Sequence, residues 1–215
     1  MNRDLDLRPG ERLDGRWRVD AKLGEGAFGA VYQVMDLEAR QGPFALKVEA
    51  VEGSEQVLKM EVYVLESLAS IGSRNACRIY GKGRNDRFNY VVMTMVGKNL
   101  TVLRKARKPE KFSMGTALRA GLQCLQALED LHAIGYLHRD VKPGNYAVGR
   151  GEVGESSVVY ILDFGMARKT QRSACDRTRP EDNRSRSRKS SRSRKQRSKL
   201  TDKSKPLSSK KKKRK

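Results

Sequence analysis

From Trp17 onward apolar and polar residues alternate: Trp17, Val19, Ala21 and Leu23 are separated by Arg18, Asp20 and Lys22. That period of two predicts a strand with one buried face. Residues 30–35 and 44–48 form two more apolar runs, joined to the first through a glycine-rich turn and through Gly42-Pro43. Short strands linked by turns predict an antiparallel meander. Between Ser54 and Ile71 the period lengthens. Val57, Met60, Val64, Leu65 and Leu68 recur every three or four residues, predicting a helix with Ser54 as its N-cap and Gly72 at its C-terminal end. Ile79-Tyr80 and residues 90–93 read as two further strands around the polar turn at Asn85-Asp86. Residues 114–133 predict a second helix, with Leu118, Leu122, Leu125 and Leu128 on one stripe and Gly135 ending it. Short strand-like pieces at 146–148 and 158–162 follow, and no repeat of solenoid length is present.

Apolar periodicity stops after Arg168, and there the charge becomes informative. The 215 residues carry a formal net charge of +21, but residues 1–170 account for only +5 and residues 171–215 for +16. The latter hold Arg/Ser alternations at 184–188 and 191–194 and a closing Lys/Arg run at 210–215. So little apolar surface cannot offset the entropy of ordering, so 170–215 is expected to be a disordered basic tail. The chain divides into a charged lead-in (1–16), a strand-rich part (17–96), a helical part (97–169) and this tail. The longest apolar run, Tyr90 to Val96, is broken by Thr94 and falls far short of the ~20 residues of a membrane span. Residues 1–12 lack the apolar stretch of a secretory signal. Three cysteines without C-x-x-C spacing and two histidines support neither a disulfide framework nor a zinc site. The expected setting is intracellular, in cytoplasm or nucleus, with no membrane contact.

The candidate chemistry lies in four places. Leu23, Gly24, Glu25, Gly26, Ala27, Phe28, Gly29, Ala30 and Val31 form a G-x-G-x-x-G turn between two strands. A dinucleotide fingerprint would instead open a helix. Glycines there let backbone N–H groups approach phosphate oxygens, although a plain glycine hairpin would have the same sequence. Lys47 sits in the next strand and Glu61 on the following helix; an ion pair between them would fix the ammonium for phosphates, with Glu55 the weaker partner. His138-Arg139-Asp140-Val141-Lys142-Pro143-Gly144-Asn145 then places a carboxylate to accept a hydroxyl proton, a lysine for the γ-phosphate and a carboxamide for a metal ion. Asp163-Phe164-Gly165 supplies a metal-binding carboxylate beside that carboxamide and an aromatic side chain to pack beneath the helix of Glu61.

Together these motifs resemble a protein kinase of the serine/threonine class over roughly residues 17–168. Leu58-Lys59-Met60-Glu61-Val62, residues 90–93 with Gly97-Lys98-Asn99-Leu100, and the stretch 135–149 are similar to the tau-tubulin kinase branch of the casein kinase 1 group. The resemblance implies an α+β, two-lobed kinase-like fold: an antiparallel small-lobe sheet plus one helix, joined to a partly built helical large lobe. It implies ATP and Mg²⁺ as cofactors and a protein Ser/Thr hydroxyl as acceptor. Asp140 would be the proton acceptor, Lys142, Lys47 and Glu61 would act with it, and Asn145 and Asp163 would hold the metal. Met93 would be the gatekeeper and Met95-Val96 the hinge against adenine, with Leu23, Val31 and Ala45 sandwiching the ring; spacing alone equally allows Met93 and Ala45 to be core residues.

Such a family chain would continue into an Ala-Pro-Glu activation segment and further helices. Here Met166-Ala167-Arg168-Lys169 leads into the basic tail, and no Ala-Pro-Glu occurs. The leucine stripe of the second helix is therefore expected to stand uncovered, and peptide docking to be incomplete. An alternative reading is a non-catalytic nuclear protein that binds ATP, or that contacts nucleic acid or an import receptor through 184–215, since basic runs attract phosphates without sequence preference.

Overall fold

A computed structural model describes residues 5–26, 29–51 and 57–170. The Ala27-Phe28 tip of the glycine turn, the proposed cap Ser54, Glu55 and everything expected of the tail lie outside the described residues.

Six strands form one antiparallel sheet: β1 (Arg12–Leu13), β2 (Trp17–Gly26), β3 (Gly29–Asp36), β4 (Gln41–Ala50), β5 (Ile79–Arg84) and β6 (Phe88–Thr94). Their order is β1-β2-β3-β4-β6-β5, so the meander is interrupted after β4. The interruption is α1 (Val57–Ser70); the chain re-enters at the sheet edge as β5 and turns back, so that β6 pairs with β4. Alternation sorts side chains to two faces. In β3, Ala30, Tyr32 and Val34 are buried while Val31, Gln33 and Met35 are only half-buried. The buried set joins Trp17, Leu46, Val48, Tyr90 and Val92 in a core on one side of the sheet.

Leu5, Leu7 and Leu13, within the charged lead-in, close that core. The fully buried Tyr32 hydroxyl accepts from the Leu7 N–H (3.2 Å) and donates to the Leu5 carbonyl (2.5 Å). Tyr32→Phe leaves both backbone groups without their partner and is expected to cost about 1–3 kcal/mol. Urea unfolding would measure that cost, and loss of hydrogen-exchange protection at the Leu7 amide would locate it.

The other face of the sheet carries α1. A second core runs from α1 (Leu58, Val64, Leu65, Leu68) through Val91 and Met93 to α3 (Met114–Ala133) and Phe164, joining sheet and helices. Gly72 ends α1 as the sequence predicts. Its φ of +73° suits glycine, and the Ser73 N–H to Leu68 carbonyl and Gly72 N–H to Ala69 carbonyl bonds (3.1 and 3.0 Å) make the closing pair of a Schellman motif. The N-terminal end is held from elsewhere: the Glu49 carboxylate, on β4, accepts the Leu58 N–H at 3.1 Å. Burial raises the Glu49 pKa against the pull of these helix N–H groups and of Lys47.

The helical part adds α2 (Leu100–Lys105), capped by the Asn99 side chain on the Val102 N–H (2.9 Å), and four short strands: β7 (Tyr136–Leu137), β8 (Tyr146–Val148), β9 (Val159–Ile161) and β10 (Arg168–Lys169). β8 pairs with β9 and β7 with β10. On α3 the buried residues are Ala127 and Leu131. Leu118, Leu122 and Leu125 are 66–70 % exposed, so among the described residues that part of the stripe stands uncovered; Leu128, expected to be uncovered with them, is half-buried and packs against the second core. Leu118→Gln, Leu122→Gln and Leu125→Gln together are expected to abolish binding of an apolar dye without lowering the unfolding midpoint. A lower midpoint would show that the leucines are buried. No helix among the described residues is long and apolar enough to cross a membrane.

Candidate active site

Strand register brings the first group of predicted residues together. Val31 lies opposite Lys47, and Ala45 opposite Met93, so all four share the sheet face turned toward α1. Val31 and Ala45 are half-buried; Met93 is buried within the core that joins sheet and helices. Leu23 is 46 % exposed at a bulge in β2. Ala30 faces the opposite way, into the core around Tyr32, and offers this face only its backbone. A Cβ at Gly24 or Gly26 would meet nothing within 4 Å, so the fold itself leaves that space open; one at Gly29 would strike the Val48 carbonyl oxygen at 1.9 Å. The first two glycines thus leave room for a ligand, and the third is required by packing. Glu25 is exposed and pairs with Lys22 at 3.0 Å. Among the described residues, the backbone N–H groups of Met95 and Val96 make no intramolecular hydrogen bond. Met95 also lines a second groove, which Val31 and Ala45 do not line.

Lys47 and Glu61 form the predicted ion pair, with Glu61 almost fully buried. Burial pulls the Lys47 pKa down, but Glu61, by charge and hydrogen bond, and Asp163 and Glu49, by charge, raise it overall. The ammonium stays protonated through the neutral range.

The second group is built on the turn between β7 and β8. His138, 2 % exposed, donates from Nε2 to the Leu162 carbonyl (3.0 Å), while its Nδ1 accepts the Asp140 N–H (3.3 Å). Those two bonds fix the neutral Nε2–H tautomer and tie the loop of Asp140 to the strand before Asp163. The Asp140 carboxylate receives Lys142 Nζ at 2.5 Å and Asn145 Nδ2 at 2.9 Å. The hydrogen bonds from Lys142 and Asn145 hold its pKa below the ordinary carboxylate value. Asn145 also donates to the Asp140 carbonyl (2.9 Å), and its own carbonyl accepts the Leu162 N–H (2.8 Å).

Asp163 is exposed; the Gly165 N–H, 3.4 Å away, is its hydrogen-bond partner. Phe164 is 1 % exposed, packs 5.6 Å from His138 ring to ring, and shares its core with Leu58, Val64 and Leu65 of α1. Arg139 and Asp163 adopt left-handed backbone (φ of 70° and 64°), which L side chains rarely do and which concentrates at functional sites. Asn145, its amide nitrogen committed to Asp140, keeps its carboxamide oxygen as an outward donor, and Asp163 adds a carboxylate on the adjoining loop. Hard oxygen donors of this kind suit a small divalent cation.

Of the residues singled out from sequence, the structure pairs Lys47 with Glu61 and brings Lys142 and Asn145 onto Asp140, with Asp163 exposed on the loop after β9. Sequence reasoning missed Glu49 as the cap of α1 and His138 as the brace of Asp140. The only available signals were a glutamate two residues after Lys47 and a histidine two before Asp140.

The description "protein kinase domain" matches residues 17–185 of the chain. A probable serine/threonine-protein kinase of Dictyostelium discoideum is 39 % identical over 166 residues, covering 77 % of this chain and 33 % of its own length. The serine/threonine-protein kinase spe-6 of Caenorhabditis elegans is 44 % identical over 157 residues, 73 % of this chain and 40 % of its own. A C. elegans sequence whose name assigns it provisionally to casein kinase I is 34 % identical over 176 residues, 80 % of this chain and 50 % of its own. The chain spans a third to a half of the length of these relatives.

Proposed function

Because the chain belongs to the protein kinase domain family, we propose that it transfers the γ-phosphoryl group of ATP to Ser or Thr hydroxyls of a protein substrate. Its closest functional kinship would be with the casein kinase 1 group and its tau-tubulin kinase branch. Asp140 carries this reading. Its carboxylate, kept ionised by Lys142 and Asn145, is suited to accept the hydroxyl proton as the new P–O bond forms and the bond to the β-phosphate breaks, releasing ADP. Lys47, held by Glu61, would bind the α- and β-phosphates, and the face around Val31, Ala45 and Met93 would take the adenine against the free amides of Met95 and Val96. Mg²⁺ held by Asn145 and Asp163 would neutralise charge on the phosphates. Positioning and electrostatics supply the rate, since the protein forms no covalent bond. The motif Asp140-x-Lys142-Pro143-x-Asn145 and the relatives named above favour Ser/Thr acceptors over Tyr.

The test is transfer of radiolabelled γ-phosphate to casein by the full chain, followed by phosphoamino-acid analysis. Label on serine and threonine is expected. Label on tyrosine alone, or none above an Asp140→Asn control, would overturn the reading.

A further inference from the structure

Where β4 and the start of β5 meet residues 150–160 lies a groove of about 1290 Å³. That exceeds the roughly 300–1,000 Å³ typical of small-molecule pockets. Its lining includes the aromatic pair Phe44 and Tyr80, while Leu65 and Ile79 border it from the core beneath α1. Phe44 and Tyr80 pack in a tilted pair with ring centroids 4.4 Å apart, and Tyr80 is still 43 % exposed. The charged groups around them are unequal. Glu66 is paired with Lys82, Glu155 accepts the Tyr160 hydroxyl at 2.9 Å, and Arg150 pairs with Glu152. Arg40, Arg74 and Arg78 are exposed at the same groove, and among the described residues they have no carboxylate partner.

We propose that this groove docks an acidic peptide segment of a partner protein, with one aromatic or aliphatic side chain of the peptide seated on Phe44 and Tyr80. Three unneutralised guanidinium groups favour carboxylates, which they can grip in bidentate fashion. The aromatic floor favours an apolar anchor, whose burial would dominate the affinity. Glu66 and Glu155 interrupt the positive lining, so the acidic residues of the peptide must fall beside Arg40, Arg74 and Arg78. The proposal uses no residue that the phosphoryl-transfer reading places on phosphate or metal; the two share only Met95, whose backbone the adenine reading uses and whose side chain the docking does not need.

The probe is a fluorescein-labelled peptide of mixed Glu and Asp with one central Phe, compared with its twin carrying Ala there, both titrated with the full chain. Residues 171–215 carry +16 and will attract any acidic peptide, so the readout is the difference between the twins. The Phe peptide is expected to bind at least tenfold tighter. Arg40→Glu with Arg78→Glu should erase that difference, and Asp140→Asn should leave it intact. Equal binding of the twins, or a difference that survives the double arginine exchange, would overturn the proposal. Photocrosslinking from benzoylphenylalanine at the anchor position gives a second measurement. Insertion at Phe44 or Tyr80 is expected, and insertion confined to residues outside the groove would contradict it.

Discussion

Asp140→Asn is expected to lower phosphoryl transfer by about 10²–10⁴-fold, the usual worth of a positioned general base. The substitution keeps the shape of the side chain, and Asn145 and Lys142 retain an oxygen to donate to, so nucleotide affinity should change little. The loss should therefore fall on kcat. Its pH dependence sharpens the expectation. Hydrogen bonds from Lys142 and then Asn145 depress the Asp140 pKa, so the acid limb of kcat should lie below the ordinary carboxylate range. Lys142→Met, which removes the first of these, should move that limb upward. The sign for stability is the same. A carboxylate with a folded pKa below its unfolded one contributes above the unfolded value, and the contribution fades as pH falls through the folded one. Steady-state kinetics from acid to neutral pH on both variants checks this.

Phe164→Ala is expected to be the most damaging single change to the fold, at about 3–5 kcal/mol. Phe164 is 1 % exposed and joins elements that are otherwise distant in sequence: Leu58, Val64 and Leu65 on α1, Val91 and Met93 on β6, and His138 ahead of Asp140. A cavity there removes contacts from both halves of the site at once. Against a typical domain stability of roughly 5–15 kcal/mol, that is a large share. Phe164→Leu, which refills most of the volume, should recover much of the loss. Guanidinium unfolding of the three proteins measures the order; an unchanged midpoint in Phe164→Ala would show that the aromatic ring is not a structural link.

Much of the site was legible because motif chemistry is local. The interval from Asp140 to Asn145 places a carboxylate and a carboxamide on one turn, and the fold closes it as read, with Asn145 Nδ2 2.9 Å from Asp140. The Lys47–Glu61 pair was legible because β4 and α1 are consecutive. What stayed hidden depends on tertiary neighbours. Period 3.6 identified α3 as amphipathic, but with apolar residues on two faces it could not tell that Ala127 and Leu131 would be buried while Leu118, Leu122 and Leu125 were left out. Helix α2 spans six residues, too short for periodicity to register, and shows itself chiefly through its cap Asn99. Leu5 and Leu7, diluted among charges, gave no strand pattern; the Tyr32 hydroxyl pins their backbone. The interrupted meander follows from α1 returning the chain to the far edge of the sheet, which strand spacing does not encode.

The central claim is that this chain assembles a nucleotide site from Lys47, Glu61, Asn145 and Asp163. Calorimetric titration of the full chain with ATP, with and without Mg²⁺, tests it most directly. One saturable site per chain is predicted, weakened at least tenfold when the metal is chelated and at least tenfold by Lys47→Met or Asp163→Asn. Binding that ignores both substitutions, or no saturable binding at all, would contradict the account.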